Sequence, residues 1–159
     1  MKTTLPEHSL TIKPRLDCIV QEILHVAKEK IAMIILFGSY ARGTWVMDNY
    51  TEDHILYSYE SDIDIMIVTR KARYAGHQGR SLQQKIKERL NRAGLGWRPL
   101  LAPPVTLITE TIQRFNKELE KSQYFFSDIK KEGIMLYDNG EFTLAEPRDL
   151  SQSKKKGNS

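Results

Sequence analysis

The 159-residue sequence predicts an α/β or α+β domain. Short uninterrupted apolar runs, at 31–37 and again within 62–68, read as buried strands. Apolar stripes at three- to four-residue spacing read as amphipathic helices. The two patterns alternate along the chain, with no internal repeat and no second domain. The length suits one core.

Residues 1–14 lack clear periodicity and read as an N-terminal arm. Pro14 fits the first turn of a helix, and Leu16, Ile19, Val20, Ile23 and Ala27 give it one apolar face through about Lys30. Cys18 lies within this pattern and reads as core. The strand at 31–37 stops at Gly38, and Ser39 to Arg42 form a helical turn that Gly43 ends. In the stretch 44–60, Asp48-Asn49 and Glu52-Asp53 have turn chemistry, and 55–59 alternates as a strand does.

Along 62–68, Ile63, Ile65 and Ile67 point to one face, and Asp62, Asp64, Met66 and Val68 to the other. Ser81 and Gln84 have capping-box spacing ahead of a helix carried by Leu82, Ile86, Leu90 and Ala93, with Gly94 as its stop. A loop over 96–104 leads to a third strand over 105–109. Ile112, Phe115 and Leu119 mark one helix, and Phe125, Phe126 and Ile129 another. Asp138-Asn139-Gly140, between apolar segments, predicts a C-terminal β-hairpin. The single domain is expected over 15–150, with a disordered basic tail at 151–159.

Bulk properties narrow the function classes. No apolar run reaches the roughly 18–20 residues of a membrane span, and the N-terminus lacks the apolar stretch of a signal peptide. A lone cysteine rules out an internal disulfide and fits the cytoplasm. Of the net charge of +4, Lys154, Lys155 and Lys156 supply three, leaving +1. Nucleic acid is therefore not an expected partner; the basic tail is all that points to it.

The chemistry concentrates in two segments. At Gly38-Ser39 a buried strand turns into a short helix. Glycine lets a phosphate approach closely. The free N–H groups of the helix start attract an anion, and the Ser39 hydroxyl adds a donor. The Gly-x-x-x-x-Gly-Lys-Ser/Thr pattern of a P-loop is absent. Asp62 and Asp64, at i and i+2, project from one strand face about 6–7 Å apart at Cα. Two carboxylates so placed call for a cation between them. Mg²⁺ suits them, and two such ions would serve both an attacking hydroxyl and a leaving pyrophosphate.

The segments 36–43, Leu-Phe-Gly-Ser-Tyr-Ala-Arg-Gly, and 61–68, Ser-Asp-Ile-Asp-Ile-Met-Ile-Val, resemble the nucleotidyltransferase superfamily of DNA polymerase β. More narrowly, the chain looks like the minimal nucleotidyltransferases, relatives of kanamycin nucleotidyltransferase, over about residues 15–145. Residues 123–129 and 132–137 resemble members in which the domain precedes a helical HEPN domain. The resemblance implies a mixed central sheet flanked by helices. It also implies transfer of a nucleoside monophosphate from an NTP, with release of pyrophosphate. Gly38 and Ser39 would bind the phosphates, Arg42 would support the loop or touch phosphate, and Asp62 and Asp64 would hold Mg²⁺. The acceptor is a small molecule or a partner protein, and an antitoxin role beside a HEPN protein is implied. A lone minimal domain leaves half its cleft open, so a homodimer or that partner is expected to complete it.

Two departures accompany the match. The superfamily usually places a third carboxylate on a later strand, where this chain has Thr106. The nearest acid is Glu110, four residues on, which reads either as a substitute catalytic carboxylate or as a helix-start Glu. Twenty-two residues separate Ser39 from Asp62, a long spacer containing Asp48, Glu52, Asp53 and His54, best read as a solvated hairpin tip. Trp45 and the tyrosines at 50, 57 and 59 read as packing residues rather than base-stacking ones, and no His pair has zinc-ligand spacing. The alternative function is a nucleotide-binding interaction module without catalysis.

Overall fold

A computed structural model describes residues 1–71, 76–95 and 103–147. The elements in order are α1 (Lys13–Ala27), β1 (Ile31–Phe37), α2 (Gly38–Arg42), β2 (Met47–Glu52), β3 (Ile55–Glu60), β4 (Ile63–Thr69), α3 (Gly76–Arg92), β5 (Val105–Thr111), α4 (Ile112–Glu120), α5 (Tyr124–Glu132) and β6 (Ile134–Asp138). The expected tail at 151–159 and most of the expected loop at 96–104 lie outside the described residues.

The strands β5-β4-β1-β6 form a mixed sheet in that order. β1 runs antiparallel to β4 and β6, and β4 runs parallel to β5. The apolar runs of β1 and β4 occupy the two central positions, which is why they need not alternate. Their two faces feed two cores. Ile34, Ile63, Ile65 and Ile67 pack with Leu16, Ile19 and Ile23 of α1 and Leu82, Ile86 and Leu90 of α3. Met33, Ile35, Met66 and Val68 pack with Phe115 and Leu119 of α4 and Phe126 and Ile129 of α5. Each such side chain, fully buried, contributes about 1.5–3 kcal/mol. The expected mixed sheet flanked by helices, α1 and α3 on one side and α4 and α5 on the other, is the architecture found.

Several local expectations change. The arm is folded in part: residues Glu7–Ile12 form a 3-10 helix with Ser9 fully buried, its Oγ donating to Tyr40 O at 2.6 Å. Cys18 is exposed, because it falls off the stripe of Leu16, Ile19, Ile23 and Ala27. Asp48-Asn49 belongs to β2, paired with Tyr59 and Ser58. The turn lies instead at Asp53 and His54, whose φ values of 51° and 66° suit a two-residue hairpin connection. α3 begins at Gly76, ahead of the capping signal at Ser81.

At the C-terminus the turn of the expected hairpin forms, with Gly140 N–H donating to Asp138 Oδ1 and Glu141 N–H to Asn139 Oδ1. The segment 141–147, however, is not a second strand. β6 pairs with β1 instead, and Phe142, Leu144 and Ala145 pack onto the α4–α5 core. Side chains meet the backbone needs of this segment: Asn116 bonds Thr143 O and Ala145 N–H, and Lys130 donates to Ala145 O.

Candidate active site

The strand directions bring the C-terminal end of β1 to the N-terminal ends of β4 and β5, and the site sits there. Phe37 pairs with Asp64, and Asp64 pairs with Thr106. The backbone then turns at Gly38 into α2, with Gly38 at φ +75°. A Cβ at Gly38 would overlap Asp64 Oδ2 and lie 3.2 Å from Asp64 Cγ. Only glycine lets the backbone of this turn press against the carboxylate while holding a left-handed φ. Gly38, Ser39, Arg42, Asp62 and Asp64 line one open cleft of about 500 Å³. The structure thus gathers the five residues picked from the two sequence segments.

The carboxylates differ in setting. Asp62 is exposed, and its Oδ2 accepts a hydrogen bond from Thr106 Oγ1 at 3.1 Å. Asp64 is half-buried, and its pKa is pushed up to about 6. Burial is the largest cause, the neighbouring Asp62 charge adds to it, and Arg42 opposes both. Arg42 also donates to Glu132 of α5 at 3.4 Å, so it links the cleft to that helix.

The fit to a divalent cation follows from this donor set. Two carboxylates on one strand face, one of them held against ionisation, are what a hard cation with oxygen ligands relieves. Among the described residues no group of three or more His, Cys, Asp or Glu side chains gathers to hold a metal. Thr106 stands beside Asp62 and Asp64, where a third acid would complete such a set.

Glu110 is not brought to the cleft. It pairs with Val68 at the far end of β5, about 13 Å along the strand from Thr106. Its buried carboxylate accepts from Thr111 N–H at 3.0 Å and is ion-paired with Arg114. The helix-start reading accounts for its partners: α4 begins two residues later, and Arg114 is in its first turn.

Glu60, Ser61, Thr44 and Val46 also line the cleft and were not anticipated. The period-two series Glu60, Asp62, Asp64 carries a signal for the first of them. Ser61 closes the neck of the β2–β3 hairpin: Val46 N–H donates to Ser61 Oγ and Ser61 N–H to Val46 O, both at 3.0 Å. Asp48, Glu52, Asp53 and His54 are exposed on that hairpin. Trp45 is a packing residue. Its ring stacks on His8 at 4.2 Å and on Tyr40 at 5.0 Å, and its indole N–H donates to His8 O. This stack pins the folded arm to the segment that follows α2.

No helix among the described residues is long and apolar enough to cross a membrane. No curated protein and no solved structure matches the chain. A family model, described as polymerase beta, nucleotidyltransferase, matches residues 20–142, which span β1, the Gly38 turn, both aspartates and β5. The chain therefore belongs to the polymerase beta nucleotidyltransferase family.

Proposed function

We propose that the protein is a Mg²⁺-dependent enzyme that transfers a nucleoside monophosphate from an NTP to a hydroxyl acceptor. The observation that supports this reading is the close approach of the Gly38 turn to Asp64, which brings helix-start N–H groups and two carboxylates to one cleft. The N–H groups at the start of α2 and the Ser39 hydroxyl hold the triphosphate. Asp62 and Asp64 hold Mg²⁺, which when bound neutralises charge on the phosphates and lowers the pKa of the acceptor hydroxyl. The acceptor oxygen forms a bond to the α-phosphorus, and the bond from that phosphorus to the bridging oxygen breaks. Pyrophosphate leaves, and the hydroxyl proton passes to water in the open cleft. Arg42 moderates the carboxylate pair and braces the loop against Glu132.

The acceptor belongs to a small molecule or to a partner protein. The likeness of residues 123–129 and 132–137 to HEPN-linked members supports a HEPN-domain protein, which transfer would silence in an antitoxin role. The test incubates the protein with α-labelled NTPs, Mg²⁺ and candidate acceptors, beside Asp62→Ala/Asp64→Ala. Label transfer by the wild type alone is the expected result, and equal transfer by the variant would overturn the reading.

Thr106 in place of a third acid favours a second reading, a nucleotide-binding module that engages its partner without catalysis. It predicts NTP binding with no transfer to any acceptor, the HEPN protein included.

A further inference from the structure

A second, smaller cavity shares Gly38 and Arg42 with the cleft. Phe37, Phe125, Asp128 and Glu132 help to enclose it, with a volume of about 140 Å³. It sits at the same end of the sheet as the aspartates, because β6, antiparallel to β1, brings the end of α5 there. Its aromatic wall is Phe125, which remains 40% exposed. Edge-on contacts hold that ring, at 5.8 Å from Phe37 and 5.3 Å from Phe126. A partly solvated phenyl ring beside the Gly38 turn can serve as a stacking platform. Asp128, one helical turn on, is exposed, and no described residue bonds its carboxylate. Arg42 faces both cavities and already has Glu132 as an ion-pair partner.

We propose that this cavity is the base subsite of the nucleotide: Phe125 stacks on the nucleobase, and Asp128 accepts a hydrogen bond from its exocyclic amine. This rests on the nucleotidyl-transfer reading, with the triphosphate at Gly38-Ser39. The volume is below the roughly 300 Å³ of a whole-ligand pocket and suits one heteroaromatic ring system. An ionised carboxylate only accepts hydrogen bonds. Adenine, cytosine and guanine carry an exocyclic amine and uracil offers only its ring N3–H, set back from the ring edge, so the uridine nucleotide binds weakest. The pocket also gives a use to Phe125 and Asp128, which the transfer chemistry leaves unused.

Titration calorimetry with Mg²⁺ tests this, using α,β-methylene analogues of ATP, GTP, CTP and UTP and, as a base-free probe, inorganic tripolyphosphate. Phe125→Leu keeps the apolar contact with Phe37 and removes the flat ring. It should weaken binding of the amine-bearing analogues about tenfold or more, as loss of base–aromatic stacking does, and leave tripolyphosphate affinity unchanged. Phe125→Tyr should restore analogue binding. Asp128→Asn should narrow the gap between the UTP analogue and the others, again without effect on tripolyphosphate. Wild-type affinities in both variants would overturn the subsite. So would a matching fall in tripolyphosphate affinity, which would mean that the Gly38 loop had been disturbed. If the wild type binds neither tripolyphosphate nor any analogue, the nucleotidyl-transfer reading falls as well.

Discussion

Replacing Asp64 by Asn should make the metal-free protein more stable at neutral pH. Asp64 titrates near 6 in the folded chain against 3.8 when unperturbed, chiefly because it is buried and faces Asp62. Between those values the folded state holds a proton that the unfolded state has lost. Stability therefore falls as pH rises from about 4 to about 6 and then levels off. The full shift corresponds to about 3 kcal/mol. Asp64 is only half-buried, and screening by water cuts this to about 1–1.5 kcal/mol. Asn has nearly the same shape and no charge, so Asp64→Asn should escape that penalty. In the metal-free protein at pH 8 its Tm should exceed that of the wild type by about 2–6 °C. As pH falls below about 4 the two melting curves should converge, because Asp64 is then becoming neutral in the unfolded state as well. Differential scanning calorimetry in EDTA across pH 3.5–8.5 measures this. A variant less stable than the wild type at pH 8, or a gap that does not change with pH, would refute the electrostatic reasoning. Mg²⁺ should then raise the wild-type Tm and shrink the gap, since binding to the folded state alone stabilises it.

Gly38→Ala must either strain a φ of +75° or displace the Asp64 carboxylate. It should cost about 1–3 kcal/mol of stability and reduce nucleotidyl transfer at least tenfold, read by denaturant melts and label transfer. Glu110→Gln removes the charge paired with Arg114 while keeping an acceptor for Thr111 N–H. It should lower stability by about 1 kcal/mol and leave transfer unchanged; a large loss of transfer at full folding would give Glu110 a catalytic part after all. Thr106→Asp places a third carboxylate beside Asp62 and Asp64. It should tighten Mn²⁺ binding, measured by electron paramagnetic resonance, and should melt at a lower temperature than the wild type without metal.

The sheet was legible because its two central strands are buried on both faces and so appear as unbroken apolar runs. The grouping of Gly38, Ser39, Arg42, Asp62 and Asp64 in one cleft was legible because both segments are contiguous in sequence, at 38–42 and 62–64, and each has its own local chemistry. What escaped reading depended on contacts between distant segments. The fate of 141–147 is set by Asn116 and Lys130, whose bonds to that backbone replace a strand partner. The burial of Ser9 depends on Tyr40, thirty-one residues on. The role of Glu110 turned on register: four residues along a strand keep the face but carry a side chain to the opposite end of the sheet.

The neck at Val46 and Ser61 bears on how this enzyme family could diversify. The chain leaves the cleft at Val46 and returns at Ser61, tied at that point by two hydrogen bonds. Everything between is an excursion whose ends are already closed, so its length adds little entropic cost to assembling the aspartates beside Ser39. Residues 47–59 therefore form a hairpin hung from a closed neck, outside the cleft lining. An excursion of different length or composition could be grafted at the same neck while leaving the spacing of Ser39, Asp62 and Asp64 as it is.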